Sequence, residues 1–497
     1  MHDVVIVGAG SAGAVLAERL SRDPATSVLL IEAGLDRRSD EMPASIRFTN
    51  FWGAMEEPDW QWPDLLASNT EGSERQHYAR GRGVGGSSAI NGMLAIRGLP
   101  EDYDAWERRH GCSGWGWQEM LRAFVSVEND VQHGREPDRG SGEGIPLNRA
   151  APRDLSPYHR AAWEAAGRAG YPTDHPDYHD LASTGMSHGA TTLLDDRRIS
   201  TNEAFLEPAR GRANLTVRGE TSVDRVAMEG TRAVGVLLTS GELVEAAEVV
   251  LCAGAIHTPA ILLRTDLGHD RALPIGRNLV EHPGAPLFVE LSDAGREPSA
   301  AAPAARSLLR YTSGMDGTGR NDMTILFNSP FGTGERVLHQ AFVLPSVFQV
   351  FSRGEVSLDP VDATAPPVID FRMLSDERDL VRLRDGVRRA RVLLDDPAMS
   401  RVVQGVTAGT TPWESLESDA DIDAWLLREV MTYYHASGTC RMGSPDDPRA
   451  VVDPRCAVIG TTGLRVADAS IMPDVPRAHT HLTCVAIGDR LASLLTA

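Results

Sequence analysis

Residues Asp3-Val4-Val5-Ile6-Val7-Gly8-Ala9-Gly10-Ser11-Ala12-Gly13 decide the fold of this chain. A β-branched run meets a Gly-x-Gly-x-x-Gly turn, and an apolar helical pattern then continues to Leu20. A second apolar run, Ser27-Val28-Leu29-Leu30-Ile31, ends at Glu32, with Ala33 and Gly34 after it. Strand, glycine turn, helix, strand and acid in that order predict a dinucleotide-binding unit. Gly8 permits the tight turn, Gly10 lets backbone approach a pyrophosphate, and Gly13 lets helix pack on strand. Ser11 and Ala12 open the helix, where unpaired amides favour an anion. Glu32, with Ala33 beside it, is placed to hydrogen-bond an adenosine ribose.

Downstream lies a second glycine segment, Arg80-Gly81-Arg82-Gly83-Val84-Gly85-Gly86-Ser87-Ser88-Ala89-Ile90-Asn91-Gly92-Met93, with a helix expected from about Ile90. One glycine segment for phosphates and another for phosphate and ring together point to FAD rather than NAD.

At 497 residues the chain is long enough for two or three structural units. Hydrophobic residues at 42% and charged residues at 24% describe an ordinary globular protein, and no apolar run is long enough to span a membrane. The first strand begins at Asp3, which leaves no room for a signal peptide, so a cytoplasmic location is expected. Cys112, Cys252, Cys440, Cys456 and Cys484 lack metal-ligand spacing and read as reduced thiols, with no metal and no disulfide framework.

The formal charge is −20 and the chain contains no lysine. A nucleic-acid partner is excluded for want of a basic footprint, and a Schiff-base lysine is impossible. The acidic surplus is compatible with attraction of a cationic substrate and equally with solubility alone.

Further along, Ser200-Thr201-Asn202-Glu203 has capping-box spacing, and short alternating runs from Asn214 to Gly254 read as hairpin strands returning to a parallel sheet. Residues 307–360 are strand-rich, with helical patterns at 376–395 and 420–431. Near the end stand Tyr433-Tyr434-His435-Ala436-Ser437-Gly438, then Ala467-Asp468-Ala469, then Pro476-Arg477-Ala478-His479-Thr480-His481 before an apolar helical run. His435 is followed by small residues that permit close backbone approach.

Over essentially its full length the chain resembles the glucose-methanol-choline (GMC) family of FAD-dependent alcohol oxidases and dehydrogenases, in particular bacterial members that oxidise primary alcohols such as furan-methanol, pyridoxine or choline-like substrates. Arg80–Met93 is similar to that family's first signature, Gly254-Ala255-Ile256-His257-Thr258-Pro259-Ala260-Ile261-Leu262-Leu263 to its second, and Gly276-Arg277-Asn278-Leu279 with Glu281-His282 to the segment after it. The resemblance implies an α/β (α+β overall) fold, a Rossmann-like FAD-binding domain with a discontinuous substrate domain on an antiparallel sheet. The expected division is 1–155 for the first FAD-binding part with a lid-like excursion at 40–80, and 156–285 mainly for the second. Residues 286–430 would bind substrate, and 431–497 would return to the FAD-binding domain carrying the histidines.

The resemblance further implies that His435 is the active-site base and His479 its partner, with His481 one step removed. Arg82, Val84, Gly85, Gly86, Ser87, Asn91, Gly92 and Met93 would border the cofactor, with the backbone of Val84 and of 91–93 along the isoalloxazine ring. Val223 would lie near adenine, Ala253 and Gly254 in the second signature against the cofactor, Asp468 and Ala469 by ribitol and pyrophosphate, and His479 and Thr480 at the flavin. Members that attach FAD covalently use a histidine where this chain has Ile90, so FAD is expected to be noncovalent. Thr265-Asp266-Leu267-Gly268 departs from the Ser-Gly-Ile-Gly-like turn that usually ends the second signature.

Elementary chemistry agrees with that assignment. An alcohol is a poor hydride donor until its hydroxyl proton is removed or shared, and neutral imidazole, with an ordinary pKa of about 6.5, suits the task. The expected reaction converts CH–OH to aldehyde or ketone with hydride passing to flavin N5, and oxygen or another acceptor reoxidising the flavin. The alternative reading is a non-redox or photochemical flavoprotein of the same family, a lyase or decarboxylase.

Overall fold

The computed structural model describes residues 1–174, 177–179, 183–269 and 271–496. The opening strand β1, His2–Val7, leads through the glycine turn into helix α1, Ser11–Leu20, and on to β2, Val28–Ile31. Strand Leu215–Arg218 runs parallel to β2, β2 parallel to β1, and β1 parallel to the end of strand Leu243–Leu251. Beyond it lies strand Leu464–Val466, also parallel.

Strand Leu243–Leu251 changes character along its length, and its sequence explains why. Its first half alternates exposed and buried residues and pairs antiparallel with Arg232–Leu238, which pairs in turn with Val223–Glu229. Its last three residues, Val249, Val250 and Leu251, are wholly buried where the strand enters the centre of the parallel sheet. Alternation suits a sheet with one wet face, and a continuous apolar run suits a sheet covered on both.

A second sheet of nine strands is antiparallel, running from Thr411–Pro412 through Val403–Ala408, Leu287–Leu291, Gln340–Val347, Met323–Asn328 and Ala305–Tyr311 to Gly185–Ser187. Strand Gly185–Ser187 joins this sheet, and helix Pro157–Arg168 before it packs on the same side, against Ala305–Tyr311 and helix Glu377–Leu394. Short strands Pro283–Gly284 and Met431–Thr432 pair with each other at its side, next to His282 and His435.

The C-terminal helix Thr480–Thr496 packs along α1 so closely that a Cβ at Gly488 would lie 2.4 Å from the carbonyl oxygen of Ala12. No helix among the described residues is long and apolar enough to cross a membrane. All five cysteines are free thiols.

Ser200 and Glu203 form the expected reciprocal cap, Glu203 Oε2 accepting from the Ser200 amide at 2.8 Å and Ser200 Oγ accepting from the Asn202 amide at 3.1 Å. The helix expected from Ile90 is absent. The chain makes one short turn at Gly86–Ala89 and then extends, because Met93 takes φ +63° and the next helix waits for Pro100. At the departure from the usual second signature a tight turn survives. Gly268 has φ +70°, and a Cβ there would stand 2.1 Å from the Gly230 carbonyl oxygen.

Candidate active site

The two glycine segments meet. Gly85 N–H donates to the Ala9 carbonyl at 2.9 Å, and a Cβ at Gly86 would come within 2.8 Å of Gly10 Cα. Gly8 turns with φ +105°, and Gly13 admits no side chain because its Cβ would stand 2.0 Å from the Gly8 carbonyl oxygen. Gly10 differs: a Cβ there would meet nothing nearer than Gly86 Cα at 3.9 Å. What glycine preserves at Gly10 is therefore open room before the first turn of α1. That helix has no side-chain cap at its N-terminus, so its leading amides stay available to a phosphate. A cradle that a Cβ would occupy, set before uncapped amides, fits a dinucleotide pyrophosphate.

Glu32 does more than sequence reasoning assigns to it. Its Oε2 accepts from the Ala9 amide, and Oε1 accepts from both Gly34 and Gly83, each at 2.9 Å. The carboxylate thereby ties the first glycine turn, the end of β2 and the second glycine segment into one unit. Burial raises its pKa, opposed by those three amides. Arg82 donates to the Ala33 carbonyl at 3.2 Å, and Val84 N–H to the Leu35 carbonyl at 3.0 Å. Ser87 Oγ accepts from Gly81 N–H at 3.2 Å.

Asn91 Oδ1 accepts from Met93 N–H at 2.9 Å and from the buried Arg198 at 2.8 Å, and Gly92 lies beside the Phe51 ring. Val223 opens its strand, two residues after Thr221, whose amide donates to the Glu32 carbonyl. Ala253 N–H donates to Thr258 Oγ1, and Gly254 N–H to Asp468 Oδ2 at 2.8 Å. Asp468 also accepts from Thr258 Oγ1 and the Ser470 amide, so its carboxylate fastens the second signature to the C-terminal segment. The Ala469 carbonyl accepts from Gly438 N–H at 3.0 Å. Thr480 begins the last helix, and His481 Nδ1 lies 3.1 Å from Ser11 Oγ, which puts His481 at the phosphate end and away from His435.

The other end of the site is built by a register slip. Pro283 pairs with Thr432, yet Val280 pairs with Ser437, so the second segment carries two extra residues between those pairs. They are absorbed where Tyr434 adopts φ +62°, a bulge-like turn that aims His435 inward, opposite His282. His435 Nδ1 and His282 Nδ1 are 2.8 Å apart, and the His435 and His479 rings cross at 82° with centroids 5.1 Å apart. His282 lies flat on Phe348, centroids 4.3 Å apart, and its Nε2 is 3.1 Å from the Phe348 carbonyl.

These contacts fix the tautomers. A carbonyl only accepts, so His282 Nε2 carries a proton and His282 Nδ1, in the neutral ring, accepts from His435 Nδ1–H. His435 Nε2 is left with a lone pair. Both rings are neutral because burial drives them there, His282 down to about 3 and His435 well below its ordinary value, with each histidine's neighbours adding to the effect. His479 is likewise brought to about 3 by burial, and neither of its ring nitrogens has a hydrogen-bond partner among the described residues.

The structure sets the expected pair, His435 and His479, side by side, and adds His282 and Phe348, which sequence reasoning does not assign. Glu281-His282 stands in the segment after the second signature, but nothing local says that His282 faces a residue 153 positions away.

The comparisons with known proteins agree with this architecture. The GMC oxidoreductase models match residues 2–284 and 350–488. The chain is 35% identical to 5-(hydroxymethyl)furfural oxidase of Methylovorus sp., covering all of this chain and 98% of that protein. It is 33% identical to oxygen-dependent choline dehydrogenase of Klebsiella pneumoniae, covering 99% and 95%. The solved structure of pyridoxine 4-oxidase from Mesorbium loti superposes with a TM-score of 0.87 at 29% identity, covering 99% of each chain. The chain belongs to the GMC oxidoreductases, FAD-dependent enzymes that oxidise alcohols.

Proposed function

We propose that this enzyme oxidises a neutral primary alcohol borne on a flat, aromatic group, with His435 Nε2 as the base and His479 as the second polar contact of the hydroxyl. The observation that carries the reading is the His282–His435 contact, which leaves a lone pair on His435 Nε2 beside the unpartnered His479 nitrogens. His435 takes the hydroxyl proton at Nε2, and His479 donates to the developing alkoxide. When bound, FAD supplies the two-electron acceptor for the α-carbon hydride. The residues that would hold it are Gly8–Gly13, Glu32–Ala33, Arg82–Ser87, Asn91–Met93, Val223, Ala253–Gly254, Asp468–Ala469 and His479–Thr480, without a covalent link since Ile90 offers no nucleophile.

The walls favour an aromatic substrate. Tyr433, whose ring centroid is 5.2 Å from that of His435 and 5.6 Å from that of His479, packs against a cluster that includes Phe342, Leu344, Leu94 and Ala478, with Phe288, Phe331 and Met431 beside it. The carboxylate next to the histidines, Glu281, is taken up by protein donors. Aromatic faces could take a quaternary ammonium by cation–π contact alone, but the carboxylate beside the histidines is already engaged, so the furfural oxidase is the guide we take to the substrate, ahead of the choline dehydrogenase. The negative net charge then serves solubility. A cytoplasmic location suits five free thiols. We retain the division into 1–155, 156–285 and 431–497 for FAD and 286–430 for substrate, with strand Gly185–Ser187 reassigned to the substrate side.

The test is anaerobic mixing of the yellow holoenzyme with benzyl alcohol, hydroxymethylfurfural and choline, followed by admission of oxygen. Bleaching of the flavin by the two aryl alcohols and not by choline is the expected result, and fast recolouring with oxygen would mark an oxidase. Bleaching by choline alone would overturn the substrate assignment, and no bleaching by any alcohol would favour the non-redox alternative.

A further inference from the structure

Glu281 is buried between the two segments that carry the histidines, and all its bonds run to them or to one tyrosine. Its Oε1 accepts from the His282 amide at 2.9 Å, both oxygens accept from the His435 amide at 2.8 and 2.9 Å, and Oε2 accepts from Tyr78 OH at 3.1 Å. Among the described residues no arginine bonds the carboxylate directly. Arg80 lies over the Tyr78 ring, 4.6 Å from its centroid, and donates to the Tyr78 hydroxyl. Tyr434 stacks on the other part of the cluster, its ring centroid 5.6 Å from that of Tyr78.

A left-handed conformation at a bulky residue such as Tyr434 is strained and persists only where its surroundings hold it. The amide immediately after that strained residue is the one Glu281 grips with both oxygens. The Nδ1–Nδ1 contact of 2.8 Å, on which the tautomer of His435 depends, requires the backbones at 282 and 435 to keep their register. A single carboxylate accepts from both.

Building on the assignment of His435 as base, we propose that Glu281 is a positioning residue for alcohol oxidation: its carboxylate registers the His282 and His435 backbones so that His435 Nε2 keeps its lone pair toward the substrate. It touches neither the alcohol nor the flavin. The ionised form is needed, because a protonated acid would turn one acceptor into a donor facing the tyrosine hydroxyl or an amide. Burial pushes the Glu281 pKa up to about 7, opposed by Arg80, the His435 amide, Tyr78 and the His282 amide. The titratable and charged groups facing it are Tyr78, Arg80, His282, Tyr434 and His435, with His479 beyond, and the three imidazoles stay neutral through this range. As pH falls through about 7, Glu281 takes up a proton and the rate should fall, although His435 itself remains unprotonated to lower pH.

The experiment is stopped-flow reduction of FAD-loaded wild type, Glu281→Gln, Glu281→Asp, Tyr78→Phe and His435→Ala by saturating aryl alcohol from pH 5 to 9. Glu281→Gln should slow reduction roughly 10- to 100-fold, with KM little changed, the range expected for a misplaced catalytic group, and its acid limb near pH 7 should vanish. Glu281→Asp, still an acceptor, should restore part of the rate and keep a limb. Tyr78→Phe removes a donor that favours the carboxylate, so its limb should move to higher pH; this serves also if the Gln variant fails to fold. ¹⁵N-imidazole spectra of the holoenzyme should show the Nδ1–H tautomer of His435 in wild type and its loss in Glu281→Gln. A Gln variant with the wild-type rate, limb and spectrum would overturn the proposal, as would an unmoved limb in Tyr78→Phe. If His435→Ala is slow and Glu281→Gln is not, only this inference fails; if His435→Ala reduces its flavin at full speed, the assignment of the base fails beneath it.

Discussion

The glycine end and the histidine end of the site are held in place by opposite means. At the glycine end the decisive fact at several positions is the lack of room for any side chain, as at Gly13 against Gly8 and at Gly34, where a Cβ would lie 2.4 Å from the Gly83 nitrogen. At the histidine end side chains carry the chemistry on a backbone set by the register slip, and what matters most is which nitrogen carries a proton. Backbone crowding is chemically inert, whereas the imidazole chain makes chemical demands on top of its positional ones. Substitutions should therefore cost structure at one end and rate at the other.

The sharpest break in that contrast should come from Gly13→Ala. A methyl 2.0 Å from a backbone carbonyl has no flexible neighbour to displace, so the helix must shift off the strand. We expect little or no yellow holoenzyme, read as the 450 nm to 280 nm absorbance ratio together with the melting temperature. Gly10→Ala should differ, keeping its apoprotein fold while losing FAD, because its Cβ points into open space. Equal melting-temperature losses in the two variants would erase the distinction between a packing glycine and a cradle glycine.

The second effect in size belongs to His435→Ala. Losing a positioned general base costs about 10²–10⁴-fold, so flavin reduction should slow by that order while the FAD spectrum persists. His282→Leu comes next: the ring that receives the His435 Nδ1 proton is gone, His435 is free to take the other tautomer, and a loss of roughly 10- to 100-fold is expected. A His282→Leu enzyme with full rate and bound FAD would show that the tautomer is set elsewhere.

The smallest effect concerns pH and stability. His257, stacked on Trp62 with centroids 4.0 Å apart, is pushed down to about 3, by burial first and by Arg264, Arg80 and Arg82 after it. Its folded pKa lies below the unfolded value of about 6.5, so its neutral burial is without penalty above that pH. Stability is then lost as pH falls from about 6.5 toward 3, by up to about 2 kcal/mol at pH 5 for this residue. His257→Leu should flatten the acid decline of the melting temperature between pH 6.5 and 5 by a few degrees or less, the scale expected for a large chain. An unchanged slope would mean that the ring is solvated.

The same contrast explains what could be read from the sequence. Gly8, Gly10 and Gly13 were legible because each is dictated by neighbours a few residues away, and the Ser200–Glu203 cap for the same reason. His435 and His479 were legible through resemblance, not through any local rule. His282, Phe348 and Glu281 were not, because their significance lies in a register slip between segments 280–284 and 431–437 that only pairing of distant strands creates. Glu32 was legible as an acid at the end of β2, but its grip on three loop amides was not, since Gly83 is 51 residues on.

The packing of the last helix against α1 sets a schedule for the newborn chain. Ser11 and the His481 that meets it are separated by 470 residues. At a synthesis rate of about 5–20 residues per second, the first glycine turn leaves the ribosome roughly half a minute to a minute and a half before its partner exists. Through that interval the flank of α1 that meets the last helix, from Ser11 and Ala12 to Arg19, lacks the surface that finally covers it. Production of this enzyme in a foreign host should accordingly respond more to slowed translation and to chaperone supply than to added flavin, since the full cradle does not exist until its far wall has been made.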